Sequence, residues 1–428
     1  MGWNLRELIA EHGVPGAQVA VLAGGEIRDE AAGVLNLRTG VETTSDSVFK
    51  VGSITKIWTA TLVQQLVQDG VLELDRPVRE YLPGFRLSDP AATATLTARH
   101  LLTHTSGIDA NHDVDPGRNA DAIEKFIAGL AEAEHLFEPG RVLSYSNSGY
   151  VLLGRLVEVL RGKLFHEVLR ERLVHPLGLT TVATSADEAI LHRAAVGHVE
   201  TDGVLEPTKT WSVRHFSSPS GSQLAMSARD LLELVRWQLS DPALAVLREP
   251  HVATVPDFGG GVLSWGLGWM RYRDGVVGHT GVSRGQKAFL RVAPSAGVAV
   301  AVLTNSPRAE PLAYRLFGGV LKELAGVETT PLPVPPAEPA PLDADRIRGT
   351  YRTTRYDRVL TVENGRGFLT RHTAAGPANR IEVVRLDDTA VIAVEPTVDG
   401  HEVLSFVGAD EDGRAQFLHN GVAAYRVS

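Results

Sequence analysis

The chain has 428 residues, 43% hydrophobic and 22% charged, with a formal net charge of −9. That balance fits a folded globular protein long enough for two domains, and it excludes a disordered or fibrous chain. Without clustered Lys and Arg there is no electrostatic footprint for nucleic acid or anionic membrane, and the absence of Cys removes disulfides, thiol catalysis and Cys-ligated metals.

Met1-Gly2-Trp3-Asn4-Leu5-Arg6-Glu7 shows no basic region, apolar run and cleavage site, and Arg6 stands where a myristoylation motif needs Ser or Thr. No later stretch approaches the roughly 20 apolar residues of a membrane span, so a cytoplasmic location is expected. Ala17 to Leu22 and Ile27 to Gly33 flank Gly24-Gly25 and predict a hairpin. Ile54, Ile57, Trp58, Leu62, Val63, Leu66 and Val67 then recur at helical spacing until Gly70. The middle of the chain reads as mostly helical, including Tyr150 to Leu160. A second β-rich group follows at Trp265 to Tyr272, Gln286 to Val292 and Val298 to Thr304, before an amphipathic helix from Glu310 to Leu324.

Six prolines between Pro331 and Pro341 make helix and central strand equally improbable, so residues 331–342 read as a stiff linker. Beyond it, about eight β-rich runs, among them Val359-Leu360-Thr361-Val362, Ile381-Glu382-Val383-Val384 and Val403-Leu404-Ser405-Phe406, suggest a small closed barrel over 343–428. The expected fold class is α+β. One antiparallel sheet, built from both ends of residues 1–330 and flanked by helices, would carry an inserted helical subdomain, with a cleft where the two meet.

Ser53 and Lys56 open the first long helical pattern, so one helical face carries both, and the positive end of the helix favours a developing alkoxide. A Lys near its reference pKa of about 10.4 is a poor base at neutral pH, so the site must depress it. Ser-x-x-Lys alone is weak evidence and reads more readily as a Ser cap beside a solvated Lys. Two further elements stand downstream: Tyr145-Ser146-Asn147 in a turn before a helical run, and Gly278-His279-Thr280-Gly281 before the strand-like Gln286 to Val292. Each has a bland reading, a capped turn and a polar loop.

The three elements in this order resemble the serine β-lactamase superfamily, which includes penicillin-binding proteins, D-aminopeptidases and related esterases. Leu101-Leu102-Thr103-His104-Thr105-Ser106-Gly107, Trp265-Gly266-Leu267-Gly268-Trp269, Pro219-Ser220-Gly221-Ser222 and Ser227-Ala228-Arg229-Asp230 extend the resemblance over roughly residues 14 to 325. It implies Ser53 as acylated nucleophile, with Lys56 and Tyr145 sharing proton transfer and Tyr145 perturbed toward a low-pKa phenol. Asn147 would orient Lys56 and the acyl amide, and the N–H groups of Ser53 and Val282 would form the oxyanion hole beside Thr280 and Gly281. His104 is expected to be structural. No metal or cofactor enters.

Most β-lactamases and penicillin-binding proteins carry Lys where His279 stands. A neutral imidazole would hold a substrate carboxylate weakly and pH-dependently. His-x-Gly here resembles D-aminopeptidases, an archaeal-type carboxypeptidase group and penicillin-binding-protein-type thioesterases that cyclise nonribosomal peptides, several with a C-terminal lipocalin-like barrel. The expectation is a serine hydrolase of amide or ester bonds in a peptide-like or small-molecule substrate. The alternative is a peptide cyclase, which would add a carrier-protein partner; a β-lactamase or non-catalytic binder ranks below both. Gly281-Val282-Ser283-Arg284-Gly285 matches the α/β-hydrolase nucleophile elbow, but a strand-like run follows Ser283 where an elbow requires a helix. Asp109, His112, Asp113 and Asp115 lack a recognised metal-ligand spacing and read as a solvated loop.

Overall fold

The computed structural model describes residues 3–110, 112, 114–253, 261–373, 376–397 and 400–428. Strands β1 (Gly16–Ala23) and β2 (Glu26–Gly33) form the expected hairpin. Gly24 and Gly25 both have positive φ, the pair that matches the right-handed twist of the flanking strands. Six more strands follow late in the chain: β3 (Val252–Ala253), β4 (Ser264–Trp265), β5 (Met270–Arg271), β6 (Val277–Ser283), β7 (Gln286–Ala293) and β8 (Val298–Thr304). They join in the order β2-β1-β8-β7-β6-β5-β4-β3, every pair antiparallel, with Val19 opposite Val302 and Leu290 opposite both His279 and Ala301. The first and last parts of this segment thus meet at β1 and β8, as the sequence pattern suggested.

Period-two alternation divides the sheet residues between two cores. Ala20, Leu22, Leu290, Val292, Ala301 and Leu303 face a core shared with helices α1 (Thr55–Gln68), α2 (Asn147–Arg161) and α3 (Ala228–Ser240). Val19, Val21, Phe289, Val300 and Val302 face the other way, onto Leu312, Leu316, Phe317 and Val320 of α4 (Glu310–Ala325). Among the described residues no helix is long and apolar enough to cross a membrane.

Two local expectations change. Trp265 to Tyr272 is not one strand: β4 and β5 are two residues each, separated by a turn in which Gly268 has φ +86°. Residues Gly278 to Gly281, which followed a loop pattern, lie inside β6. Their glycines serve close approach of neighbouring chain, not a turn, because a Cβ on Gly278 would sit 2.1 Å from the Leu290 carbonyl oxygen.

Residues 331–341 form neither helix nor strand. After them, β9 (Gly349–Arg352), β10 (Asp357–Glu363), β11 (Arg366–Thr373), β12 (Gly376–Arg385), β13 (Ala390–Ala393), β14 (Val403–Val407), β15 (Phe417–His419) and β16 (Ala423–Arg426) close an eight-stranded antiparallel barrel. Its interior is filled by Tyr351, Leu360, Leu369, Val383, Leu404, Phe406 and Leu418. The barrel rests on residues 134–145: Phe137 meets Phe417 edge-to-face at 6.0 Å, Tyr425 Oη donates to Glu134 at 2.9 Å, and Arg141 donates to Gln416 at 2.9 Å.

Candidate active site

Ser53 sits in a single 3₁₀ turn, Gly52–Ile54, that runs directly into α1, so the expected nucleophile lies just before the α-helix rather than on its first turn. The turn is fixed from three sides. Thr55 Oγ1 donates to the Gly52 carbonyl at 2.7 Å. A Cβ on Gly221 would lie 2.3 Å from that same oxygen, and one on Gly281 would lie 2.0 Å from the Val51 carbonyl oxygen. Only glycine at these positions lets β6 and the 219–222 turn reach the backbone of Ser53.

The Lys56 side chain is 0% exposed. Its Nζ donates to Asn147 Oδ1 at 2.7 Å and to the Ser220 carbonyl at 2.6 Å, and lies 3.3 Å from Ser53 Oγ. Burial pushes its pKa well below the usual lysine value. A neutral amine has two N–H donors and one lone pair. With both donors committed to the two carbonyl oxygens, the lone pair is left for the Ser53 hydroxyl. Ser220 belongs to the Pro219-Ser220-Gly221-Ser222 stretch of the resemblance, yet a backbone carbonyl leaves no signal in a side-chain pattern.

Tyr145 and Asn147 flank the N-cap of α2, where Ser146 Oγ accepts the Gly149 N–H at 3.1 Å. The Tyr145 hydroxyl is hydrogen-bonded to Ser53, and its ring lies 4.7 Å from Lys56 Nζ. The expectation of a low-pKa phenol is not met: burial raises the phenol above its ordinary value, and the hydrogen bond to Ser53 offsets only part of that. Tyr145 therefore rests as a neutral proton donor.

His104 stacks on Tyr145 with ring centroids 4.2 Å apart, and its Nδ1 accepts the Ser146 N–H at 3.0 Å. Its own backbone is left-handed, with φ +57°, a strained conformation for a residue with a side chain. It supports the Tyr145 segment and does not touch Ser53 through any hydrogen bond seen in the described residues.

His279 is buried on the interior side of β6, edge-on to Trp265 at 5.7 Å, with Nδ1 2.8 Å from the Thr280 carbonyl oxygen. Strand alternation turns Val282, 63% exposed, to the opposite side, while the partly exposed Thr280 lies between His279 and Gly281. Burial, reinforced by the nearby Lys56, pushes the imidazole down to about 3. An imidazole kept neutral and out of solvent offers no cation to a substrate carboxylate. The weak, pH-dependent anchor expected from the sequence thus becomes a neutral interior group.

Ser283 ends β6 and leads by a tight turn into β7, so no helix follows it as an elbow requires. In the acidic loop, Asp109 accepts a hydrogen bond from Thr354 of the barrel at 2.9 Å, and Asp113 lies outside the described residues.

Known proteins give the same picture. Penicillin-binding protein 4 of Amycolatopsis lactamdurans is 39% identical over 360 residues, covering 80% of this chain and 94% of that protein. The crystal structure of SurE matches with a TM-score of 0.81 at 29% identity, covering 98% of this chain and 97% of that one. D-amino acid amidase from Ochrobactrum anthropi SV3, complexed with L-phenylalanine, shares the fold over 71% of this chain and 91% of its own, at 23% identity and a TM-score of 0.61. A family model described as Beta-lactamase matches residues 4–321, and the chain accordingly belongs to the β-lactamase and penicillin-binding-protein family of serine hydrolases.

Proposed function

We propose that this chain cleaves an amide or ester bond of a peptide-like substrate through an acyl-enzyme on Ser53. The observation that carries the reading is the state of Lys56: a buried amine, both N–H bonds donated to Asn147 and Ser220, and 3.3 Å from Ser53 Oγ. Lys56 takes the hydroxyl proton as Oγ attacks the carbonyl carbon, and the backbone N–H groups of Ser53 and Val282 face the oxyanion. Tyr145 gives its proton to the departing amine or alkoxide. Lys56, now carrying the Ser53 proton and 4.7 Å from the ring, favours the brief phenolate and passes that proton to it, which restores a neutral amine and a neutral phenol. Water then enters against the acyl carbonyl, activated by the same pair, and releases the acid.

The names of relatives motivate one refinement. SurE has been solved with D-Leu, and another fold neighbour is a D-amino acid amidase. We therefore propose a D-configured residue on the acyl side of the scissile bond. A second reading, transfer of the acyl group to the substrate's own amine, draws on His279 and the C-terminal barrel, the two features behind the resemblance to penicillin-binding-protein-type thioesterases.

The test is to incubate the protein with a p-nitrophenyl acyl ester or a fluorophosphonate and weigh it by mass spectrometry. One adduct on wild type and none on Ser53→Ala is expected; an unchanged adduct on Ser53→Ala would reject the reading. D- and L-leucyl p-nitroanilides then score the stereochemical refinement, with faster turnover of the D form expected. A peptidyl thioester, assayed for cyclic against linear product, separates transfer from hydrolysis.

A further inference from the structure

Residues Leu143 to Ser146, which carry Tyr145 toward Ser53, are gripped from two opposite sides by two histidines. From within the same part of the chain, the His104 carbonyl accepts the Ser144 N–H at 2.7 Å and His104 Nδ1 accepts the Ser146 N–H. From the barrel comes His419, the last residue of β15 and fully buried. The Gly421 N–H, which can only donate, meets His419 Nδ1 at 3.0 Å, so the imidazole proton sits on Nε2 and is donated to the Leu143 carbonyl at 2.7 Å. The Gly421 carbonyl then accepts the Tyr145 N–H at 2.8 Å, and the Ala423 N–H donates to Ser144 Oγ at 3.1 Å. Asn420 Nδ2 donates to Glu402 Oε1 at 2.9 Å, which ties the turn to the barrel wall.

These bonds form a closed relay: Leu143 carbonyl, His419 imidazole, Gly421 peptide, Tyr145 amide. We propose that the barrel is a positioning part of the acylation machinery, with His419 and the Gly421 turn setting the backbone from which the Tyr145 hydroxyl reaches Ser53. The proposal rests on the acyl-enzyme reading above. His104 fixes the plane of the Tyr145 ring by stacking, but the height of the ring over Ser53 depends on where its backbone lies. A shift of about 1 Å there is enough to lose a large factor in rate without altering substrate contacts. The imidazole suits the role because burial keeps it neutral, down to about 4, so its donor and acceptor do not exchange over the working range.

The experiment measures acylation of Ser53 by a p-nitrophenyl acyl ester in the full chain, as burst rate and as apparent KM, for His419→Ala, His419→Gln, Ser144→Ala and Arg380→Ala. Near-UV circular dichroism reports folding, and hydrogen exchange reports the Tyr145 amide. His419→Ala is expected to acylate about 10–100-fold more slowly at unchanged KM, with faster exchange at Tyr145. His419→Gln, whose carboxamide both donates and accepts, recovers part of the rate. Ser144→Ala loses a single bond and slows about 3-fold or more, and Arg380→Ala, on an exposed ion pair elsewhere on the barrel, matches wild type. A folded His419→Ala protein acylating at the wild-type rate, while Ser53→Ala is dead, overturns the inference alone. Adducts persisting in Ser53→Ala overturn the site reading itself. Should His419→Ala not fold, Ser144→Ala decides: wild-type acylation and exchange there also overturn the proposal.

Discussion

Lys56 occupies a position that costs stability whenever it must be charged, and the pH dependence of folding exposes that cost. In the unfolded chain its amine titrates near 10.5; in the folded protein burial holds it well below that value. Between the two values the unfolded chain binds the extra proton, so Lys56 makes stability rise with pH, with a limiting slope of about 1.4 kcal/mol per pH unit. Lys56→Met lacks this term. Chemical denaturation of both proteins from pH 6 to pH 9 is therefore expected to show wild type gaining on the variant as pH rises, and parallel curves would mean that the lysine is not held neutral. The same variant should acylate about 100- to 10,000-fold more slowly, the range typical for removing a positioned base. Ser53 and Lys56 were legible in the sequence because their three-residue spacing on a helical pattern is a local relation, and the two downstream motifs with the family resemblance they carry gave that spacing its meaning. The protonation states were not. The low-pKa phenol expected at Tyr145 and the pH-dependent carboxylate anchor expected at His279 both failed on burial, and burial is decided by residues far away in sequence.

At the scale of elements, the decisive contact is between strand β6 and the 3₁₀ turn that bears Ser53. Gly281 permits it: an added Cβ would sit 2.0 Å from the Val51 carbonyl oxygen and 3.1 Å from the Ser53 nitrogen. Neither neighbour is the free end of a flexible side chain, so Gly281→Ala must push the strand away. Overpacking of this kind costs about 1–3 kcal/mol. Because Val282 is the next residue, its N–H would also leave the oxyanion position proposed for it, and a further loss of about 100-fold in acylation is expected. Burst kinetics and urea denaturation measure the two effects separately; a stable variant with a wild-type burst would remove Val282 from the oxyanion hole. The sequence pattern gave the β1–β2 hairpin, β7, β8 and α4 correctly, since each carries an unbroken period of two or of 3.6. It left Gly278 to Gly281 open between a motif and a polar loop, without assigning the strand, because glycine marks a turn and a close approach with the same letter. Trp265 to Tyr272 failed for the opposite reason: its apolar residues line a tight turn and bury Trp265, Leu267 and Trp269 without forming a continuous strand.

For the whole molecule, the question is whether the barrel and the rest of the chain unfold as one unit. The number of barrel strands could be anticipated from turn residues between short β-rich runs, but its docking could not, because the bond from His419 to Leu143 spans 276 positions. The interface mixes the polar relay at Tyr145 with an apolar patch of Phe137, Phe417 and Ala423, in which each phenylalanine is only 5% exposed. Interfaces of this kind between parts of one chain range from loose to cooperative, and a buried aromatic pair favours the cooperative end. Calorimetry of the wild type is expected to give a single unfolding transition. Phe417→Ala removes the barrel's aromatic anchor from that patch opposite Phe137, and the lost packing falls on the docked state while the barrel interior, filled by other residues, is untouched. The variant should therefore split into two transitions, with the activity lost at or below the lower one. Two transitions already present in the wild type, or a single transition retained in the variant at unchanged temperature, would show that the barrel is only tethered, and that the clamp on Tyr145 contributes nothing to the stability of the whole.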